Sequence, residues 1–148
     1  MTTPQFSMDS LRALTRSLIR ELGALHPDRL GAQSLTLAEG HALKEIEAHG
    51  EVSIKELSKS LLLDQSTTSR MASRLEASKY IRITSDPIDK RAKILSLSSH
   101  GKTSLKTLDE KTNHFLSRAL KMLSKKDQIQ LISSMMKYRD ALQKVRQS

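Results

Sequence analysis

The stretch of this chain best equipped for chemistry is Gln65-Ser66-Thr67-Thr68-Ser69-Arg70-Met71-Ala72-Ser73-Arg74-Leu75. Asp64 stands in front of it as a helix cap, and Met71, Ala72 and Leu75 make a thin apolar side. The other side carries small hydroxyls, one amide and two arginines. Short polar groups let a helix backbone come close to a surface, while guanidinium groups reach past them to guanine edges or phosphates. That is the face required of a helix that reads the major groove. A merely solvated helix rich in Ser, Thr and Arg has the same composition, so the face needs a setting before it has a meaning.

Other chemistries find less support. With no cysteine, thiolate nucleophiles, disulfides and thiol redox switches are excluded. No Ser-His-Asp grouping, carboxylate pair or glycine-rich phosphate loop is credible, so no enzymatic activity and no cofactor are expected. His41, Glu45 and His49 follow one another at i+4 steps on one predicted helix. A metal site needs ligands from more than one element, and His100 and His114 are fourteen residues apart, so solvated histidines are the better reading and no metal is expected.

The elements around the polar helix give it its setting. Thr36-Leu37-Ala38-Glu39 fits a capping box opening a helix to about Ala48, with Gly50 as its stop. Ser53-Ile54-Lys55-Glu56 repeats the device and opens a short helix through Leu57 and Leu61. This short helix and the polar one, separated by a tight turn, form a helix-turn-helix candidate. Next, Tyr80–Thr84 and Lys93–Leu97 alternate with period two around the charged loop Ser85-Asp86-Pro87-Ile88-Asp89-Lys90-Arg91. They predict a two-stranded ribbon with Asp86-Pro87 as its turn former.

Long amphipathic helices flank this middle. Leu11, Leu14, Leu18, Leu22 and Leu25 form one stripe, closed by His26-Pro27-Asp28 and Gly31. Ser98 or Ser99 caps a helix carrying Leu105, Leu108, Thr112, Phe115, Ala119 and Leu123. Ser124-Lys125-Lys126-Asp127 begins a last helix with Ile129, Ile132, Met136 and, on an adjacent row, Leu131, Met135, Leu142 and Val145. A middle of residues 36–98 is too small to cover three such stripes. Packing against a second copy of the chain would cover them, so a helical homodimer lobe built from residues 1–34 and 99–148 is expected, around a winged middle at 35–98. An intramolecular three-helix bundle is the alternative. Met71, Met122, Met135 and Met136 fit as core or interface filler.

Composition agrees without deciding. The 148 residues are 37% hydrophobic and 3% aromatic, so Leu, Ile, Ala and Met must make the core. The net charge of +9 is unevenly spread: residues 1–50 hold 5 basic and 6 acidic groups, 51–110 hold 11 and 8, and 111–148 hold 9 and 2. Most of the surplus lies away from the ribbon, and basic charge alone suits any polyanion. The longest aliphatic run is Leu61-Leu62-Leu63, and the N-terminus lacks a basic-then-apolar signal pattern. A cytoplasmic protein without a membrane association is expected.

The order helix, helix-turn-helix, ribbon, between long outer helices, resembles the MarR family of winged-helix transcriptional regulators. The resemblance covers roughly residues 35–105 and rests on "LTLAEGHALKEI", "SIKELSKSLLLDQSTTSRMASRLE" and above all "DPIDKRAKILSLSSHGK". The last is similar to the family's wing signature, here Asp89, Arg91, Leu97, Ser98 and Gly101. It implies a fold that is mainly α with a short β-ribbon (α+β), a winged helix-turn-helix whose terminal helices form the dimerisation lobe.

The resemblance also assigns roles. Ser66, Thr67, Ser69, Arg70 and Arg74 fall on recognition-helix positions that contact bases or phosphates, with Gln65 and Ser73 nearby. Arg91 falls at the wing tip that enters the minor groove, Asp89 is placed to orient an arginine, and Lys90 and Lys93 support it on the DNA backbone. Three positions depart from the pattern: Leu62 and Lys79 stand where glycine is usual, and Ser58 where alanine is. If Leu62 and Lys79 keep left-handed angles, each costs about 1–2 kcal/mol relative to glycine.

The function implied is a homodimeric, sequence-specific binder of double-stranded DNA on pseudo-palindromic operators, with half-sites about one helical turn apart. A small-molecule effector would sit in a cleft lined from the first helix, the Thr36 helix and the Leu105 helix. The alternative is a winged-helix module that touches protein or RNA, its basic surface holding polyanions non-specifically. A helix-turn-helix head cut from a larger enzyme is disfavoured, because the C-terminal helices complete the lobe.

Overall fold

A computed structural model describes residues 7–23 and 35–147. Leu25 and the expected loop at 26–31 lie outside the described residues. Two compact units are present, one up to Lys111 and one from Thr112.

In the first unit, α1 (Met8–Leu22) is capped by Ser7, whose hydroxyl accepts the Ser10 N–H at 3.0 Å. No residue of α1 is buried, and Leu14, Leu18 and Leu22 are all exposed. The helix α2 (Leu37–His49) begins at the expected capping box: the Thr36 hydroxyl accepts the Glu39 N–H at 3.2 Å, and the Thr36 N–H donates to Glu39 Oε2 at 2.8 Å. Gly50 ends it with φ +76°, a left-handed conformation that glycine adopts without strain.

The helices α3 (Ile54–Leu61) and α4 (Gln65–Ala77) follow as the helix-turn-helix. Ser53 and Glu56 complete the second capping box, and the Asp64 carboxylate accepts the Thr67 N–H at 2.7 Å. Both helices end in a left-handed residue. Leu62 has φ 57° and Lys79 has φ 63°. In each case the following amide reaches back over the turn, Leu63 N–H to the Ser58 carbonyl at 3.0 Å and Tyr80 N–H to the Leu75 carbonyl at 2.9 Å. These are Schellman closures made without glycine, so the strain expected at both positions is present. Ser58, the third departure, is buried, and its hydroxyl is satisfied by the Lys55 carbonyl at 2.8 Å.

The ribbon is part of a larger sheet than expected. β1 (Glu51–Ser53), β2 (Ile81–Ser85) and β3 (Lys93–Leu97) form an antiparallel sheet in the order β1-β3-β2. The two-stranded expectation missed β1, which at three residues is too short to display an alternating pattern. β2 and β3 pair in register, Ile81 with Leu97, Ile83 with Leu95 and Ser85 with Lys93. The core under the sheet joins Leu43 and Ile46 of α2, Leu57 of α3, Met71 and Leu75 of α4, and Leu95 of β3.

The last helix of this unit, α5 (Ser99–Lys121), starts at Ser98, whose hydroxyl accepts the Gly101 N–H at 2.9 Å. Its Leu105 is buried in the same core, and Leu108 packs against it. Gly101 lies against the backbone of Tyr80 so closely that a Cβ would stand 2.0 Å from the Tyr80 carbonyl oxygen. The family-like glycine at this position therefore has a steric cause.

The second unit holds the end of α5 and all of α6 (Lys125–Gln147). Ser124 caps α6, accepting the Asp127 N–H at 3.1 Å. The Gln128 amide donates to the carbonyls of Leu120 (2.8 Å) and Leu123 (3.0 Å), closing the end of α5. α6 has no buried residue: Ile129, Ile132, Met135, Met136, Leu142 and Val145 are exposed.

Candidate nucleic-acid interface

The polar face of α4 is free of the core. Gln65, Ser66, Ser69, Arg70 and Ser73 are exposed, while Thr68, Met71, Ala72 and Leu75 are buried on the opposite side. The buried Thr68 hydroxyl donates to the Asp64 carbonyl at 2.9 Å, so burial leaves it satisfied. Not every hydroxyl is equally available. Half-buried Thr67 donates to Asp64 Oδ2 at 2.6 Å, and Arg70 reaches the Thr67 hydroxyl at 3.3 Å. Ser73 donates to the Ser69 carbonyl at 3.1 Å. These bonds hold lone pairs and guanidinium protons in defined directions without withdrawing them from solvent. The Asp64 carboxyl is held below the usual carboxylate range by the Thr67 hydroxyl and amide.

Arg74 is differently employed. Its Nε donates to Glu39 Oε1 at 3.0 Å, an ion pair joining α4 to the first turn of α2. Glu39 is 4% exposed, whereas the Arg74 side chain is 61% exposed, so the guanidinium leans out of the contact. One carboxylate thus has two tasks, Oε2 in the capping box and Oε1 on Arg74. Burial pushes the Glu39 carboxyl up, but the Thr36 amide and hydroxyl and the Arg74 guanidinium together pull it further down. With Leu35, Thr36, Leu75, Ala77, Ser78 and Tyr80, this pair lines a cleft of about 390 Å³. This cleft, between α2 and α4, is a different place from the one expected between the first helix, the Thr36 helix and the Leu105 helix.

The hairpin tip is built by carboxylates. Asp86 Oδ1 accepts the amides of Ile88 (2.7 Å) and Asp89 (3.1 Å), and the Ala92 N–H donates to the Asp89 carbonyl at 2.8 Å. Asp89 Oδ1 accepts the backbone N–H of Arg91 at 3.0 Å. Asp89 was expected to orient an arginine side chain. In the structure it holds the backbone amide of Arg91, which a carboxylate two residues back reaches readily in a tight turn. Lys90, Arg91 and Lys93 are exposed. Glu76 on α4 accepts the Ile83 N–H at 3.0 Å, covering an edge amide of β2 and fixing the ribbon to the polar helix.

Sequence reasoning missed Glu39 and Glu76 as positioning groups. Glu39 was visible only as a capping residue; its second partner is thirty-five positions away and leaves no local pattern. Two of the described histidines have other contacts: His49 Nδ1 lies 2.9 Å from the Glu45 carbonyl oxygen, and the His100 ring packs 4.8 Å from that of Tyr80. Among the described residues, no three His, Asp or Glu side chains converge as metal ligands, and no helix is long and apolar enough to cross a membrane.

The comparisons with known proteins agree with this geometry. Residues 35–93 match the model of the MarR family. An uncharacterised HTH-type transcriptional regulator, YxaD of Bacillus subtilis, is 39% identical over 69 residues. That match spans about half the length of each protein, 47% of this chain and 48% of YxaD. Among solved structures, Rv1404 of Mycobacterium tuberculosis superposes with a TM-score of 0.77 at 20% identity, over 95% of this chain and 98% of that one. The MepR–DNA complex of Staphylococcus aureus gives 0.76 at 21% identity, over 93% and 99%. At such identities the likeness speaks to the fold alone. Over residues 35–93 this chain is similar to the MarR family, and its overall fold is shared with these solved structures.

Proposed function

We propose that the protein is a homodimeric transcriptional regulator that binds pseudo-palindromic double-stranded DNA. The observation that carries the reading is the exposed Gln65–Arg74 face of α4 standing beside a cationic hairpin tip, the two tied together by Glu76. α4 would enter the major groove, where Gln65, Ser66, Ser69, Arg70 and Ser73 meet base edges and phosphates. Arg91 would follow the minor groove, with Lys90 and Lys93 on the phosphates. MepR, similar in fold, is known bound to DNA. Thr67 and Arg74 contribute less directly, Thr67 as a cap and Arg74 through whatever part of its guanidinium Glu39 leaves free.

The uncovered apolar rows of α1 and α6 support the homodimer. An obligate interface between helical lobes typically buries on the order of 2,000 Å² or more. An effector small enough for the cleft beside Arg74 would act on the recognition helix directly.

Fluorescence anisotropy at stated salt tests the reading. The protein should bind a duplex selected from a random pool at least ~10³-fold more tightly than random DNA. The selected consensus should be palindromic. Equal affinity for both duplexes would refute sequence-specific binding and favour a module that holds polyanions or protein partners.

A further inference from the structure

The hairpin tip presents an apolar side chain where a turn ordinarily presents a polar one. Ile88 is 97% exposed, the most exposed large hydrophobic residue among those described. Its position is not left to chance. Of the amides at the tip, those of Asp86, Ile88, Asp89, Arg91 and Ala92 all have acceptors, and Pro87 has no N–H to donate. The turn is therefore closed from both ends, by Asp86 on one side and Asp89 on the other, and the backbone has little freedom to fold Ile88 back onto the sheet. β-branched isoleucine is stiff at χ1 and is not a turn former. Isoleucine contributes nothing to the hairpin that a serine or asparagine would not.

We infer that Ile88 is an apolar minor-groove contact, a wedge carried into DNA by the cations beside it. The inference rests on the proposed DNA-binding reading. The walls of the minor groove are deoxyribose faces, and proteins that bend DNA from this side place aliphatic side chains against a base step and partly unstack it. Lys90 and Arg91, two and three residues on, and Lys93 at the start of β3 bring positive charge to the phosphates flanking the same point. A tip carrying only cations would read groove width. With an isoleucine at its apex it would also favour steps that open easily, the pyrimidine–purine steps.

The test uses the full-length protein and the tightest duplex selected by wild type from a random pool. Ile88→Ser should weaken binding roughly tenfold, the scale set by burying one aliphatic side chain, while Ile88→Val stays within about threefold of wild type. Because Ile88 touches no phosphate, the slope of log affinity against log salt should not change for Ile88→Ser, whereas Arg91→Ala should lower it by about one. Replacing adenine by 2,6-diaminopurine in the wing-contacted flank adds an amino group to the minor groove alone. On that duplex the ratio of wild-type to Ile88→Ser affinity should fall towards one. Wild type that binds specifically while Ile88→Ser matches it within twofold refutes the wedge and leaves the regulator reading standing. A ratio unmoved by diaminopurine also refutes it, by placing the contact elsewhere. Wild type that shows no preference among duplexes removes the regulator reading and the wedge together.

Discussion

Lys79 lies in the left-handed region with φ 63° and closes α4 without the glycine that such a turn favours. A Cβ in that region costs about 1–2 kcal/mol. Replacing Lys79 by Gly relieves the strain, but it also frees the unfolded chain, which takes back about 0.4–1 kcal/mol. Lys79 is exposed and packs in no core, so little else is lost. Lys79→Gly should therefore stabilise the fold by about 0.5–1 kcal/mol. Lys79→Ala keeps the Cβ and should gain nothing. At an ordinary exposed helical site such as Lys106 of α5, the order reverses, with Ala better than Gly by about 0.5–1 kcal/mol. Leu62, with φ 57° and 61% exposure, is a second case with a smaller yield: truncation also forfeits its partial burial, roughly 0.5–1 kcal/mol, and Leu62→Gly should be near neutral. Urea unfolding at one fixed protein concentration reads all of these as midpoint shifts at constant slope. Alanine equal to or better than glycine at position 79 would refute the strain assignment.

Gly101→Ala should destabilise the protein by about 1–3 kcal/mol, since the clash is with the Tyr80 backbone and not with a side chain that can swing away; a thermal melt indistinguishable from wild type would count against the close approach. Glu39→Gln retains an acceptor for the Thr36 amide but removes the charge facing Arg74, and a double-mutant cycle with Arg74→Ala should give a coupling of about 1 kcal/mol, reduced from a fully buried pair because Arg74 is well solvated. The Glu39 carboxyl is depressed in the folded state, so its contribution is complete above the unfolded carboxylate range and is lost as pH falls through the lower folded value. The acid limb of stability should accordingly be shallower in Glu39→Gln than in wild type. Arg91→Ala should weaken binding to the selected duplex by about 1–3 kcal/mol without altering the oligomeric state, whereas Lys144→Ala in α6 should change little beyond general electrostatics. Sedimentation alongside anisotropy separates the two effects.

Much of the frame was legible because its signals are local. Thr36 with Glu39, Ser53 with Glu56, Asp64, Ser98 and Ser124 each announce a helix within three residues, and each caps one. The hairpin strands showed their period of two. What stayed hidden depends on pairings between distant segments. β1 is only three residues long and becomes a strand because β3 offers it an edge. Arg74 was read as a groove-facing arginine, as its place on α4 suggests, but nothing near it in sequence reveals that a buried carboxylate on α2 takes its Nε. The bond from the Arg91 amide to the Asp89 carboxylate likewise depends on the exact turn of the hairpin tip, which residue types alone do not specify.

The crossing of Gly101 over Tyr80 makes a joint without play. Tyr80 follows the left-handed residue that ends α4 and leads directly into β2, and the Ser98 hydroxyl lies 3.0 Å from its carbonyl oxygen. With backbone pressed on backbone there, no side chain can act as a cushion by changing rotamer. A tilt of the first turn of α5 would therefore press directly on the backbone where α4 gives way to β2.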